Sequence, residues 1–183
     1  MNENTPDLEL NYHYFFSSLG WLLLAATSKG ICLLHFHGLT PPSDGHFRTF
    51  LSQTFPDIAL ILPQQNPLLN RAEEAILKYL GTGQPMLPLS LDIRCGTPFQ
   101  RQVWNTLCGI PFGETRSYLQ VAQAIGKPLS PRAVGQACGK NYLPILIPCH
   151  RVVASNGRLG GFSGGLHLKR ALLGIEQATG FVH

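Results

Sequence analysis

The chain has 183 residues, enough for one domain or two small ones, and its 44% hydrophobic against 13% charged residues fill a core and exclude a disordered chain. No apolar run approaches the roughly 18 residues of a membrane span; the longest candidate, Trp21 to Ala26, stops at Thr27, and the polar, acidic start resembles no secretory or transit peptide, so the expectation is a soluble, cytoplasmic protein. The net charge of +4 conceals a division, since residues 1–93 hold four Lys/Arg against eight Asp/Glu while residues 94–183 hold ten against two, Glu114 and Glu176. Such a local excess points to a polyanionic partner for the C-terminal half, the alternative being a solvated basic surface.

In chain order, the first half reads as mixed strand and helix. Apolar segments at Gly20–Ala26 and Ile31–Phe36 flank the turn Ser28-Lys29-Gly30, which predicts a hairpin. Asp57–Leu62 is a candidate further strand. From Asn66 to Leu80, Leu69, Ala72, Ala75, Ile76 and Leu80 recur at helical spacing, with Gly81 as the stop. Residues 84–96 read as a connector with a short strand, so the chain divides into an N-terminal domain over 1–90 and a C-terminal domain over 91–183.

The second half is a series of capped helices. Thr97-Pro98-Phe99-Gln100 places an N-cap, a first-turn proline and a capping-box glutamine in order, ahead of the apolar stripe Phe99, Val103, Trp104 and Leu107. Ser117-Tyr118-Leu119-Gln120 repeats the box and opens a short helix closed by Gly126. Ser130-Pro131-Arg132 then caps a third helix through Val134, Ala137 and Cys138. Two short helices joined by a four-residue turn predict a helix-turn-helix, with an ordinary αα-hairpin as the alternative. Arg116, Lys127, Arg132 and Lys140 surround it, and no acid lies between Glu114 and Glu176.

The five cysteines, Cys32, Cys95, Cys108, Cys138 and Cys149, are odd in number and include no C-x-x-C pair, which argues against a disulfide framework or a zinc ribbon. One has chemical neighbours. Ile145-Leu146-Ile147 reads as a strand that delivers Cys149, His150 and Arg151 beyond Pro148. A thiolate is the nucleophile, adjacent cations lower a thiol's pKa, and His150 is a candidate base with Arg151 favouring the anion. Neighbouring residues on a strand point to opposite faces, so the expected Cys149–His150 link is indirect, through water. Gly157, Gly160, Gly161, Gly164 and Gly165 then crowd around Phe162-Ser163, implying a loop that approaches something closely. The last helix, about Leu166 to Gln177, carries Leu168, Leu172 and Leu173, and near its end Glu176 is the one nearby carboxylate able to orient an imidazole.

The blocks GTPFQRQVW (96–104), IPFGETRSY (110–118), PRAVGQACGKN (131–141), ILIPCHRVV (145–153) and GFSGG (161–165), in this order, resemble the O6-alkylguanine-DNA alkyltransferases, or methylated-DNA–protein-cysteine methyltransferases. The resemblance implies an α+β fold: a small ribonuclease H-like N-terminal α/β domain and a mostly helical C-terminal domain with a winged helix-turn-helix-like element. It implies a DNA repair protein that flips O6-alkylguanine (O4-alkylthymine being left open) out of duplex DNA and takes the alkyl group onto its own cysteine, once per molecule. The competing readings are a non-catalytic lesion-binding protein and a Cys-His hydrolase.

In that frame Cys149 is the alkyl acceptor, His150 its water-mediated base, Glu176 the group orienting His150, Asn141 a hinge and Tyr118 a donor to the departing guanine. Arg132 fills the vacated stack from the minor groove, with Ser130, Ala133, Gln136, Lys127, Arg151 and Tyr118 as further DNA contacts. Ser163, Gly164, Phe162, Val152 and Pro144 line the base pocket. The expected partner is double-stranded alkylated DNA, bound by a monomer, with cooperativity along DNA open and no membrane role. Departures from the family pattern are Tyr142 where proline is common and Phe162 where tyrosine is common. No cofactor or metal is expected. Some relatives hold a zinc in the N-terminal domain, but on a strand His35 and His37 share one face while Cys32 points to the other, and no fourth ligand is apparent.

Overall fold

The computed structural model describes residues 9–58, 60–62 and 66–181, and these form two compact units. The first comprises the described residues up to Gly81 together with Met86–Asp92; the second comprises Thr82–Pro85 and the chain from Ile93 onward.

The first unit is a four-stranded sheet with two helices. Strands β1 (Glu9–Ser17), β2 (Gly20–Ala26) and β3 (Ile31–Gly38) form an antiparallel meander, and β4 (Leu60–Leu62) lies parallel to β1, giving the order β3-β2-β1-β4. The β1–β2 turn is tight because Gly20 takes φ +94°, where a side chain would stand 2.5 Å from the Gly38 carbonyl oxygen. The predicted β2–β3 hairpin is present, Ala26 pairing with Ile31 and Thr27 N–H donating to the Gly30 carbonyl at 3.0 Å. Residues 84–96 form no strand of their own. Leu91 makes a single parallel bridge to Ile31, and the Thr27 hydroxyl donates to Asp92 at 2.7 Å.

Helix α1 (Asp44–Thr54) sets Phe47 and Phe50 against His37 and His35, with ring centroids 5.0 and 4.7 Å apart. Those two histidines are therefore packed on aromatic rings, while the Cys32 thiol faces the Ala25 carbonyl; among the described residues no group of three potential ligands could hold a metal. Helix α2 (Pro67–Thr82) buries Leu69, Ala72, Ile76, Tyr79 and Leu80, and runs through Gly81 rather than stopping there. Glycine lowers helix propensity without forbidding the conformation, and one more residue, Thr82, is tolerated at an end.

In the second unit, α3 (Pro98–Cys108) starts on a complete capping box, Thr97 with Gln100, and α4 (Tyr118–Ala124) on another, Ser117 with Gln120. Each box satisfies two N–H groups that a helix start otherwise leaves orphaned. Helix α5 (Pro131–Gly139) begins at Ser130, whose side chain makes no cap bond, so the fixed φ of Pro131 does the work of starting it. Val103, Trp104 and Leu107 of α3 pack with Val121, Ala122, Val134 and Ala137, and the Trp104 indole N–H donates to the Ala137 carbonyl at 2.8 Å. Helices α4 and α5 form the helix-turn-helix, and the parallel pair β5 (Arg116–Ser117) and β6 (Val152–Val153) lies beside it. Helix α6 (Leu166–Ile175) buries Leu168, Leu172 and Leu173. No helix among the described residues is long and apolar enough to cross a membrane.

Candidate active site

The strand expected at 145–147 is a turn. Pro144 and Pro148 lack the N–H that a strand ladder needs, and Ile145 takes φ +71°, a left-handed conformation that β-branched residues rarely adopt. Asn141 supplies what holds this backbone. Its side-chain carbonyl accepts from Leu143 N–H at 2.9 Å, and its amide donates to the Ile147 carbonyl at 2.9 Å and to Cys149 Sγ at 3.1 Å. The turn delivers Cys149, His150 and Arg151 as one turn of 3-10 helix (Cys149–Arg151) leading into β6.

The three side chains diverge from that turn. Cys149 is 2% exposed, so bulk water barely reaches the sulfur. Burial pushes its thiol up to about 11, against the pull of the Asn141 amide, the Lys169 cation and the N–H groups of Cys149 and His150. The expectation that His150 and Arg151 lower the thiol's pKa is thus corrected, because desolvation outweighs every nearby donor and the side-chain cation that acts on the thiol is Lys169. At neutral pH the resting group is a thiol and requires a base.

His150 is fully buried and pairs with Glu176, Nε2 to Oε1 at 2.9 Å. A carboxylate in an ion pair has no proton to give, so Nε2–H is the donor. Burial, with smaller contributions from Arg151 and Lys169, holds the imidazole below 6.5 despite the Glu176 carboxylate. A neutral ring that donates through Nε2 carries its lone pair on Nδ1, and among the described residues Nδ1 has no hydrogen-bond partner.

Arg151, expected both beside the thiolate and on DNA, is committed elsewhere. Its Nε and Nη2 donate to the two Glu176 oxygens at 2.9 Å each, and Nη1 donates to the Ile110 carbonyl at 2.6 Å. Pairing with the buried Glu176 outcompetes solvent because a fork-shaped guanidinium matches a carboxylate in two bonds. Gly113 N–H adds a fourth donor to Glu176 at 3.3 Å.

Tyr118, first residue of α4, donates from its hydroxyl to the Gly161 carbonyl at 3.4 Å, and burial pushes its phenol up to about 12. It fits because Gly160 (φ +65°) has no side chain; a Cβ there would lie 2.7 Å from the Tyr118 oxygen. Of the residues expected to line a pocket, Val152 and Pro144 are buried, Phe162 and Gly164 half-buried, and Ser163 exposed. On the helix-turn-helix, Lys127, Arg132 and Gln136 are exposed, and Ser130 and Ala133 half-buried. The structure therefore brings Cys149 against Asn141, and His150 and Arg151 against Glu176, two hydrogen-bonded groups joined through the Cys149–Arg151 turn.

Sequence reasoning missed Lys169. It is fully buried, and its Nζ donates to the carbonyls of Val152 and Leu159, with Gly161 at 3.4 Å. The spacing 169, 172, 173 and 176 is that of one helix face, so Lys169 shares the inward stripe of Leu172, Leu173 and Glu176.

Fold and site together define a class: a helix-turn-helix protein whose second unit encloses a cysteine, with a histidine in the same turn of chain that pairs with a glutamate at the end of α6. The profile of the family described as "6-O-methylguanine DNA methyltransferase, DNA binding domain" matches residues 98–178. The chain is 40% identical over 170 residues to the Escherichia coli bifunctional transcriptional activator/DNA repair enzyme Ada, covering 93% of this chain and 46% of that protein. It is 43% identical over 117 residues to the constitutive methylated-DNA–protein-cysteine methyltransferase of Bacillus subtilis, covering 63% of this chain and 70% of the relative. The crystal structure of Mycobacterium tuberculosis OGT in complex with DNA superposes with a TM-score of 0.73 at 34% identity, covering 91% of this chain and 92% of that one. The chain belongs to the methylated-DNA–protein-cysteine methyltransferase family. It spans about half the length of the first curated relatives it matches.

Proposed function

We propose that this protein repairs DNA by taking an alkyl group from O6 of guanine onto Cys149, once per molecule. The observation that carries the reading is a nearly sealed cysteine, held by Asn141, in the same turn as a neutral histidine whose free lone pair is fixed by Glu176. The M. tuberculosis relative was solved with DNA bound, which supports DNA as the partner.

An alkyl group on O6 of guanine lies on a base edge inside the stack, so the nucleotide is flipped out. The exposed Arg132, in the first turn of α5, fills the gap from the minor groove, while Lys127 and the α5 N-terminus engage phosphates. Ser130, Ala133 and Gln136 lie along the same helix start; Arg151 acts from within, by clamping Glu176. Phe162, Ser163 and Gly164 wall the base, with Val152 and Pro144 behind them. The protein acts as a monomer.

In the chemical step the thiol proton leaves through water to His150 Nδ1, and sulfur attacks the alkyl carbon in line with the C–O6 bond. The S–C bond forms as the C–O6 bond breaks, and the proton held on His150 Nδ1 returns through water to the departing guanine, with Tyr118 donating a hydrogen bond to it. Atoms and charge balance without a co-reactant. A thioether is a poor leaving group, so each molecule acts once.

The test is intact-protein mass spectrometry after incubation with O6-methylguanine duplex. One methyl group per molecule, mapped to Cys149 and absent in Cys149→Ser, is expected. Lesion binding with no mass change, or repeated turnover, would overturn the proposal.

A further inference from the structure

Lys169 is a buried charge with no part in the chemistry above. Removing an ammonium from water is costly unless its donors are satisfied, and among the described residues no acid pairs with it. Its donors go to backbone instead: to Val152, where the chain leaves the Cys149 turn, and to Leu159 and Gly161 in the glycine-rich loop. The ammonium lies 5.8 Å from the centroid of the Tyr118 ring, within cation–π range, and the Tyr118 hydroxyl donates to the same Gly161 carbonyl. One side chain thus ties the strand that leaves the nucleophile's turn to the loop, and the loop to the tyrosine. The neighbouring cation Arg151 is neutralised by Glu176.

We infer that Lys169 is a positioning residue for alkyl transfer: its ammonium fixes the Leu159–Gly161 loop and Tyr118 against the Cys149 turn and stabilises the negative charge that sulfur acquires as its proton leaves. This rests on the alkyl-transfer reading. The groups facing the ammonium are Cys149 and His150 from the 3-10 turn, Cys138 from α5 and Tyr118 from α4. Burial brings Lys169 down to about 8, with Cys149 and then Cys138 opposing; Cys149 stands near 11, Cys138 and Tyr118 near 12, and His150 below 6.5. Between about pH 7 and 10, Lys169 is therefore the one of these groups that titrates.

The experiment is single-turnover transfer from free O6-benzylguanine, which removes DNA affinity from the rate, measured from about pH 6.5 to 9.5 on the wild type and Lys169→Met. Melting curves set a temperature at which both are folded. The wild-type rate is expected to fall above about pH 8, where a neutral amine still donates to the carbonyls but the charge is gone. Lys169→Met is expected to lose that limb and to be about tenfold slower at pH 7, the equivalent of one pKa unit at the thiol. A folded variant with the wild-type rate, or with the same descending limb, overturns the inference. If the variant does not fold, the wild-type profile decides alone, and a rate flat or rising to pH 9.5 overturns it. A wild type that transfers nothing to Cys149 overturns the alkyl-transfer reading itself, which a wild type that transfers leaves intact.

Discussion

Glu176→Gln keeps the shape of the side chain and removes its charge. Four donors converge on this 3%-exposed residue: His150 Nε2, Arg151 Nε and Nη2, and Gly113 N–H. The variant leaves the Arg151 side chain, 13% exposed, facing a neutral amide whose own NH2 opposes a donor. Removing one member of a buried ion pair costs about 3–5 kcal/mol, a large share of the 5–15 kcal/mol that typically holds a domain together. At roughly 2–4 °C per kcal/mol for a chain of this size, calorimetry at neutral pH should show the transition falling by about 6–20 °C. Transfer should fall further than folding, because His150 no longer has an anion holding its proton on Nε2. The ceiling is the roughly 10²–10⁴-fold that general base catalysis supplies. The assay is single-turnover methyl transfer well below the lowered transition. A variant that melts within about 2 °C of the wild type and transfers at its rate would refute both the buried pair and the relay.

Arg132→Ala should slow transfer from duplex DNA far more than transfer from free O6-benzylguanine; equal losses on both substrates would contradict a role in base flipping. Gly160→Ala should slow transfer and lower the melting temperature, since its Cβ would stand 2.7 Å from the Tyr118 oxygen at a φ of +65°, and a crystal structure with Tyr118 unmoved would disprove the clash. Stability should decline as pH falls below 6.5: His13 and His150 are held below that value by burial, so the unfolded chain takes up their protons first and is favoured. Urea titrations between about pH 7 and 5 measure the slope, and a midpoint that rises on acidification would reverse the assigned direction.

Signals confined to a few residues of chain are legible in the sequence alone. The boxes at Thr97/Gln100 and Ser117/Gln120 close within three residues, and the Ala26–Ile31 hairpin is set by its own turn. Strand β1 is not legible, because buried and half-buried positions along LNYHYFFS follow no strict alternation. Helix α1 escapes notice because among its mostly polar residues Phe47 and Leu51 are the ones, of those whose side chains are described, that lie deep in the core. The turn at 145–147 misleads in a specific way: its apolar, β-branched composition is that of a strand, and what decides against a strand is a side chain, Asn141, taking the hydrogen bonds a neighbouring strand would have supplied.

The charged residues divide on the same physical ground. Proximity in sequence places Arg151 beside the sulfur, whereas in the fold a carboxylate 25 residues away claims it. Lys169 sits 20 positions from Cys149 in the chain and still lowers the thiol's pKa. A short stretch of sequence shows which groups exist; which of them share a low-dielectric interior depends on α6 packing its 169/172/173/176 face inward. Because unpaired charge is most costly there, that face fixes two pairings together. Glu176 absorbs Arg151 and orients His150, and the cation left acting on the thiol is the lysine about two turns earlier on the same helical stripe.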